Sequence, residues 1–389
     1  MTQAPERGFP LREFEVRLQR AQRAMHAAGL DALLLTTEAE VRYFSGFQTQ
    51  FWESPTRPWF LILPLTGKPI AVIPEIGAEG MGSTWVEDIR TWPAPVPEDD
   101  GVSLLADSLA ALPRRYGAIG TPMGHESHLR MPLRDFLDVQ NRLRPVPFVD
   151  AAPLLRGLRF VKSAAEVEKI RYACQLTSDA FEALPGVMKA GQSEREICRD
   201  FRIDLLRRGA DHSPYIISGS GPGGYDSIIM GPTDRVLSEG DLLIIDTGTV
   251  YDGYFCDFDR NFAFGHADDL TRRAYDTVFA ATGAGFDAAR PGARMCDVWQ
   301  AMWTILEAGG ALGNSVGRMG HGLGMQLTEG PSVTPDDETE LLPGAVITLE
   351  PGMAFAPGRQ MVHEENIVIT ETGAEWLSRR ASAELPVIA

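Results

Sequence analysis

Leu242-Leu243-Ile244-Ile245-Asp246-Thr247-Gly248, then Tyr251-Asp252-Gly253-Tyr254, then Phe255-Cys256-Asp257-Phe258-Asp259-Arg260-Asn261-Phe262, reads as a buried strand, a turn and a returning strand. The apolar run 242–245 ends in Asp246, and a carboxylate there is costly unless something neutralises it. Period-two alternation puts Asp257, Asp259 and Asn261 on one face of the returning strand. A hairpin of this kind brings Asp246 and Asp257 together.

Two later segments have the same character. Val346-Ile347-Thr348-Leu349 is an apolar strand that ends in Glu350, before Pro351-Gly352. Met361 to Ile369 reads as a strand carrying Glu364 and Glu365, of which one points away, solvated or behind the site. Between the two pairs of acids lies His321, in Gly320-His321-Gly322-Leu323-Gly324, where glycines allow close approach to whatever the imidazole binds. Singly, each of these residues has an ordinary structural reading as a turn, cap or solvated acid. Jointly they are more specific. Asp246, Asp257, Glu350 and Glu364 with a neutral His321 carry four negative charges, which two divalent cations would cancel. An oxygen-rich set with one nitrogen suits Mn²⁺, Co²⁺, Fe²⁺ or Zn²⁺. Two such ions activate a water at neutral pH.

The pattern extends outward from this core. Gly191, Glu196, Ile197, Phe201, Leu205, Gly209 and Ala210 recur 101 residues later as Gly292, Asp297, Val298, Met302, Leu306, Gly310 and Ala311. The offset has two readings: two similar amphipathic helices, or a duplicated domain with pseudo-twofold symmetry and a crevice on its axis. A capping box, Ser163 with Glu166, opens a long helix with apolar residues at Val167, Ile170, Cys174, Phe181 and Leu184. Ahead of it, Leu11–Ala28 has a helical pattern stopped by Gly29. The runs 32–35, 60–63 and 70–73 read as strands between Pro and Gly turns. Strands alternating with helices indicate a separate α/β domain that ends between Asp150 and Arg159; we divide the chain into 1–155 and 156–389. Ser218-Gly219-Ser220-Gly221-Pro222-Gly223-Gly224 lacks the Gly-Lys-Ser/Thr ending of a phosphate loop and reads as a flexible loop near the site.

At 389 residues, 44% hydrophobic and 23% charged, the chain has the composition of a globular protein. A net charge of −17 disfavours nucleic acid and anionic membranes as partners. Cys174, Cys198, Cys256 and Cys296 form no Cys-x-x-Cys pair, the N-terminal residues have no apolar signal core, and no apolar run is long enough to span a bilayer. A cytoplasmic protein is expected.

With these segments in place, the sequence resembles the pita-bread metallopeptidase and creatinase family, which includes methionine aminopeptidase, aminopeptidase P and prolidase. The resemblance is carried by Asp246-Thr247-Gly248 with Asp257 eleven residues on, by Gly320-His321-Gly322-Leu323-Gly324, by Glu350-Pro351-Gly352 and by Glu364-Glu365-Asn366-Ile367-Val368. It is strong over 160–375. It extends to a creatinase-type N-terminal domain through Arg42-Tyr43-Phe44-Ser45-Gly46. The resemblance implies a pita-bread catalytic domain, a dinuclear metal site and a homodimer whose partner helps wall the site. By motif register Glu364, not Glu365, is the ligand. Asp246 would bind one metal and His321 with Glu350 the other, Asp257 and Glu364 would bridge, and a hydroxide would attack the scissile carbonyl with Glu350 as general base. The expected substrate is a short peptide of the Xaa-Pro class or another small molecule.

Three positions depart from the family's peptidases. Thr328 stands seven residues after His321, where the peptidases have a second histidine. Asp226 or Ser227 stands near another histidine position, and Asp259 replaces a hydroxyl residue. As substrate-facing residues, Thr328, Asp226 and Asp259 predict weak cleavage of standard dipeptides and favour a cationic or zwitterionic small molecule, unless an arginine such as Arg57 compensates. Relatives with such chemistry are creatinase, ectoine hydrolase and a dimethylsulfoniopropionate lyase. A non-catalytic binding module is a third reading, which the intact ligand set disfavours.

Overall fold

The computed structural model describes residues 3–314 and 317–389. The chain forms two compact units, residues 6–159 and residues 160–389 with the first five. The division falls inside the helix Ala152–Phe160, just beyond position 155. No helix among the described residues is long and apolar enough to cross a membrane.

In the N-terminal unit the helix Leu11–Ala28 stops where Gly29 turns left-handed at φ 69°, a conformation glycine adopts at no steric cost. Six strands form one mixed sheet in the order 88–92, 70–74, 60–64, 32–35, 119–121, 148–150. Strand 32–35 runs antiparallel to 60–64 and parallel to 119–121. Its four residues are buried on both faces, which is why it reads as a continuous apolar run rather than an alternating one.

The second unit carries the duplication. Helices Glu194–Arg208 and Met295–Ala308 occupy the two repeat copies. Each copy opens with a left-handed glycine, Gly191 or Gly292, whose N–H donates to a leucine carbonyl, Leu237 or Leu341. Each opens its helix with a capping box, Ser193 with Glu196 or Arg294 with Asp297. Each closes when an alanine N–H, Ala210 or Ala311, reaches back to Leu205 or Leu306. Equivalent bonds at equivalent positions decide for duplication over coincidence. Beside the helices lie two sheets. One has strands 387–388, 258–264, 241–251 and 212–222 in that order, with 254–255 paired on 241–251. The other has 329–332, 321–322, 346–349, 365–369 and 374–376. Ile244, Met302, Leu349 and Ile367, all nearly inaccessible, belong to one core shared by both halves.

Several local expectations are corrected. The strand expected to end at Asp246 continues to Tyr251, because Thr247 and Gly248 pair with Ile216 and Tyr215. The flexible loop expected at Ser218–Gly224 is mostly strand: Ser218 through Pro222 pair with Ile245 back to Asp241. Glycine serves packing there, since a Cβ on Gly219 or Gly221 would lie 2.5 Å from a backbone oxygen of Ser227 or Gly224. Tyr251–Tyr254 is the expected turn, with positive φ at Asp252 and Gly253, the backbone of a two-residue hairpin loop. Lys169 closes a buried ion pair on Asp252 at 2.7 Å.

The returning strand is two strands, 254–255 and 258–264, broken at Cys256-Asp257. The segment 361–369 is likewise divided between strands 359–362 and 365–369, broken at His363-Glu364. Asn366 makes the first break possible. Its side-chain oxygen accepts the Asp257 N–H at 2.9 Å and its amide donates to the Asp257 carbonyl, replacing a ladder partner. Each half thus places one acid at an interruption in a strand, free of the alternation that would otherwise fix its direction.

Candidate active site

The acids and the imidazole converge. One ligand atom each from Asp257, His321 and Glu364 lies within 4.8 Å of the others. These three residues are 3–4% exposed. Asp246 is cross-strand from Asp259, and the charges of Asp257 and Asp259 act on its carboxyl. The charge of Glu350 likewise acts on Glu364. Glu350 is placed by its own N–H, which donates to the Met319 carbonyl. His321 is placed by the Thr348 hydroxyl, which accepts its N–H at 3.1 Å.

His321 Nδ1 faces the Gly322 carbonyl at 2.9 Å, and Nε2 faces Asp257 Oδ2 at 3.4 Å. A neutral ring donating from Nδ1 keeps its lone pair on Nε2, toward the acids. The surrounding glycines act differently from expectation. They admit neighbouring chain rather than ligand: a Cβ on Gly320 would lie 2.2 Å from the Thr348 carbonyl, and one on Gly322 2.9 Å from those of Glu329 and Gly330.

The electrostatics are those of crowded acids. Burial first, then Asp257 and the other carboxylates, pushes the Asp246 carboxyl well above the usual range. Glu364 is raised well above it for the same reasons, and Asp259 by burial against a partial offset from Arg260. Glu350 is raised by burial while His321 and Arg318 draw it back. For His321, burial pulls the imidazole down, but its hydrogen bond to Asp257 and the charge on Glu350 outweigh that and leave it raised. Asp246 Oδ1, Asp259 Oδ1 and Glu364 Oε1 are buried with no hydrogen-bond partner among the described residues. Buried polar atoms are nearly always paired, so this cluster suits cations held by oxygen with one imidazole.

Glu365 is turned away from Glu364, but it is not solvated. It is wholly buried and paired with Arg260 at 3.1 Å. The Ser378 hydroxyl and the Ala381 N–H also donate to it. Asp259 is 1% exposed. Arg260 reaches the backbone carbonyl of Asp259, not its carboxylate. Asp226 is exposed, and its recorded hydrogen bond is through its backbone carbonyl, to Gln360; the structure does not join its side chain to the cluster. Thr328 Oγ1 lies 3.3 Å from Arg318 Nη2.

Two neighbours escaped the sequence reading. The Tyr215 hydroxyl donates to Asp257 Oδ1, and burial followed by the charges of Asp246 and Asp257 pushes its phenol well up. Arg318 Nε is 3.8 Å from Glu350 Oε1. The signal for Tyr215 was Gly248, where a Cβ would lie 2.5 Å from the tyrosine ring. Gly248→Ala is therefore expected to displace Tyr215, costing about 1–3 kcal/mol in stability and at least part of the activity. Denaturant melts of both proteins measure this, and an unchanged midpoint would show that the ring has room.

Comparison with known proteins agrees with this geometry. The model of metallopeptidase family M24 matches residues 168–371, and that of the creatinase/prolidase N-terminal domain matches 17–161. The chain is 30% identical over 374 residues to a probable dipeptidase PepE of Mycobacterium bovis, covering 95% of each chain. Among solved structures it is similar to dipeptidase PepE from Mycobacterium ulcerans, at 30% identity and a TM-score of 0.84 over 98% of this chain and 99% of that one. It shares its fold with a prolidase from Thermococcus sibiricus, at 21% identity and a TM-score of 0.87 over 98% and 100%. The buried acids and imidazole lie on a creatinase-type and pita-bread architecture, and the chain belongs to metallopeptidase family M24, a family of enzymes dependent on divalent metal.

Proposed function

We propose that this enzyme hydrolyses short peptides, Xaa-Pro dipeptides first among them, with two divalent cations held by Asp246, Asp257, His321, Glu350 and Glu364. The observation that carries the reading is the set of buried carboxylate oxygens without partners beside a correctly presented imidazole. Mn²⁺, Co²⁺, Zn²⁺ or Fe²⁺ in such a site lowers the pKa of a water and polarises a carbonyl. The chain's residues divide the remaining tasks. Asp257 and Glu364, each next to another ligand acid, are suited to bridging. The Glu350 side chain is 15% exposed, against 6% for Asp257 and 4% for His321. It is accordingly the group to take the proton from the attacking water at a carboxylate oxygen, and His321 is a ligand that also holds charge beside it.

The expectation of weak dipeptide cleavage rested on an uncharged Thr328 and an acidic Asp226. Arg318 brings a cation to the first position, and Asp226 is exposed. Peptide cleavage is thereby favoured over the cationic small-molecule reading. A reducing, cytoplasmic setting suits four cysteines that are all free. Boundaries near 155, and a homodimer, follow the likeness of the N-terminal unit to the creatinase-type domain.

The test is steady-state kinetics on Ala-Pro, Leu-Pro, longer peptides and small zwitterionic amides after reconstitution with each metal. A kcat/KM of about 10⁴ M⁻¹s⁻¹ or more on an Xaa-Pro substrate is expected. Turnover of only non-peptide substrates would overturn the assignment.

A further inference from the structure

Arg318 lies three residues before His321 and has a role that the ligand set leaves unassigned. Its guanidinium is held by neighbours on several sides. Nη2 donates to Thr328 Oγ1 and Nη1 to Ser332 Oγ, each at 3.3 Å, and Nε is 3.8 Å from Glu350 Oε1. Its charge acts on both Glu350 and His321, drawing down the carboxyl of the one and the imidazole of the other. The side chain is 28% exposed, against 4% for His321 and 6% for Asp257. A group arriving from solvent therefore meets it at the edge of the acid cluster.

The proposed cations would balance Asp246, Asp257, Glu350 and Glu364, but a carboxylate that reaches the edge of the cluster still gains from a cation of the protein's own. Thr328 offers a neutral hydroxyl, shorter than the imidazole that the family's peptidases carry seven residues after the ligand histidine. A planar guanidinium has five N–H donors and stays charged at any working pH. Fixed by two hydroxyls, it delivers that charge in a set direction. We infer that Arg318 binds the negatively charged oxygen of the substrate, in the place where the peptidases use a second imidazole. The inference rests on the peptidase reading above. That oxygen has two sources, the C-terminal carboxylate of a dipeptide or the oxyanion at the scissile carbonyl.

The experiment compares wild type, Arg318→Met, Arg318→Ala and Arg318→Lys, all metal-loaded, on Ala-Pro and on Ala-Pro amide. Loss of a charge-assisted hydrogen bond predicts a fall in kcat/KM of at least about tenfold for Arg318→Met. Bound metal should be unchanged, Arg318→Lys should retain part of the rate, and free guanidinium should restore part of it to Arg318→Ala. A loss confined to the acid substrate and expressed in KM assigns the carboxylate; an equal loss on both, expressed in kcat, assigns the oxyanion. Values within twofold of wild type on both substrates overturn the inference. So does a loss of activity that follows loss of bound metal, since Arg318 would then act only by supporting Glu350. If wild type turns over neither compound, the peptidase reading fails separately. Calorimetry with L-proline then decides: affinity at least tenfold weaker in Arg318→Met supports Arg318 as an anion-binding residue, and equal affinity overturns it.

Discussion

Glu364→Gln is expected to lose metal and activity, whereas Glu365→Gln is expected to keep its metal and lose stability. The two residues are adjacent, of the same type and both buried, but Glu364 sits at the strand interruption whereas Glu365 begins the next strand. Glu364 faces Asp257, Glu350 and Asp246. Its neutral amide analogue removes one of the charges proposed to hold the cations. Partners one step removed from a metal already cost about 10–100-fold when changed, so a direct ligand is expected to cost on the order of 10³-fold or more. Glu365 instead compensates Arg260, which also donates to the backbone carbonyls of Glu364 and Arg379. Breaking a buried pair by neutralising one member costs about 3–5 kcal/mol, because the other charge is left uncompensated. Metal stoichiometry and denaturant melts on both variants separate the effects. Metal loss in Glu365→Gln with retention in Glu364→Gln would reverse the two assignments.

The second large effect is the stability conferred by metal, and its dependence on pH. Cations that bind only the folded chain stabilise it by about 4 kcal/mol at a thousandfold excess over Kd. For a unit of this size that raises Tm by on the order of 10 °C. Without metal, burial and neighbouring acids raise the Asp246 and Glu364 carboxyls above their unfolded values. A raised carboxyl contributes stability that is fully present below the unfolded pKa, about 4, and is lost as pH rises toward and through the folded value. Chelated protein is therefore expected to lose stability through these groups as pH rises above about 4, while the increment from Mn²⁺ or Zn²⁺ grows, since the cations bind the deprotonated acids. Calorimetry with and without chelator at each pH measures this. Coincident melts across the range would exclude a cation-compensated cluster.

Much of this was legible in the sequence because it is local. The run Leu242–Ile245, the Asp252-Gly253 turn and the Ser163–Glu166 capping box state their geometry within a few residues. The acids were legible because a carboxylate among strand residues is costly and therefore informative. What stayed hidden depends on distant partners. Nothing near Asp257 announces that Asn366, 109 residues away, will replace its ladder partner. Arg318 follows no apolar period, and its role appears only when Glu350, Thr328 and Ser332 are brought around it. The sequence left Glu365 open between a solvated place and one behind the site for the same reason: a solvated acid and one that neutralises Arg260 look alike until the core closes.

The paired strand interruptions have a consequence for how the molecule could be cut. Asp246 and Asp257 lie before the polar stretch Gly265–Asp268, which leads into the helix Asp269–Ala288, and His321, Glu350 and Glu364 lie after it. A chain split in that stretch would yield one piece with two of the proposed ligands and another with three, neither a complete set. Divalent metal would then act as a staple between pieces, and reassembly of the two fragments should require it. The same arithmetic explains how a duplicated ancestor could gain chemistry that neither copy held: each half brought an acid at a broken strand, and only their meeting made a catalytic centre.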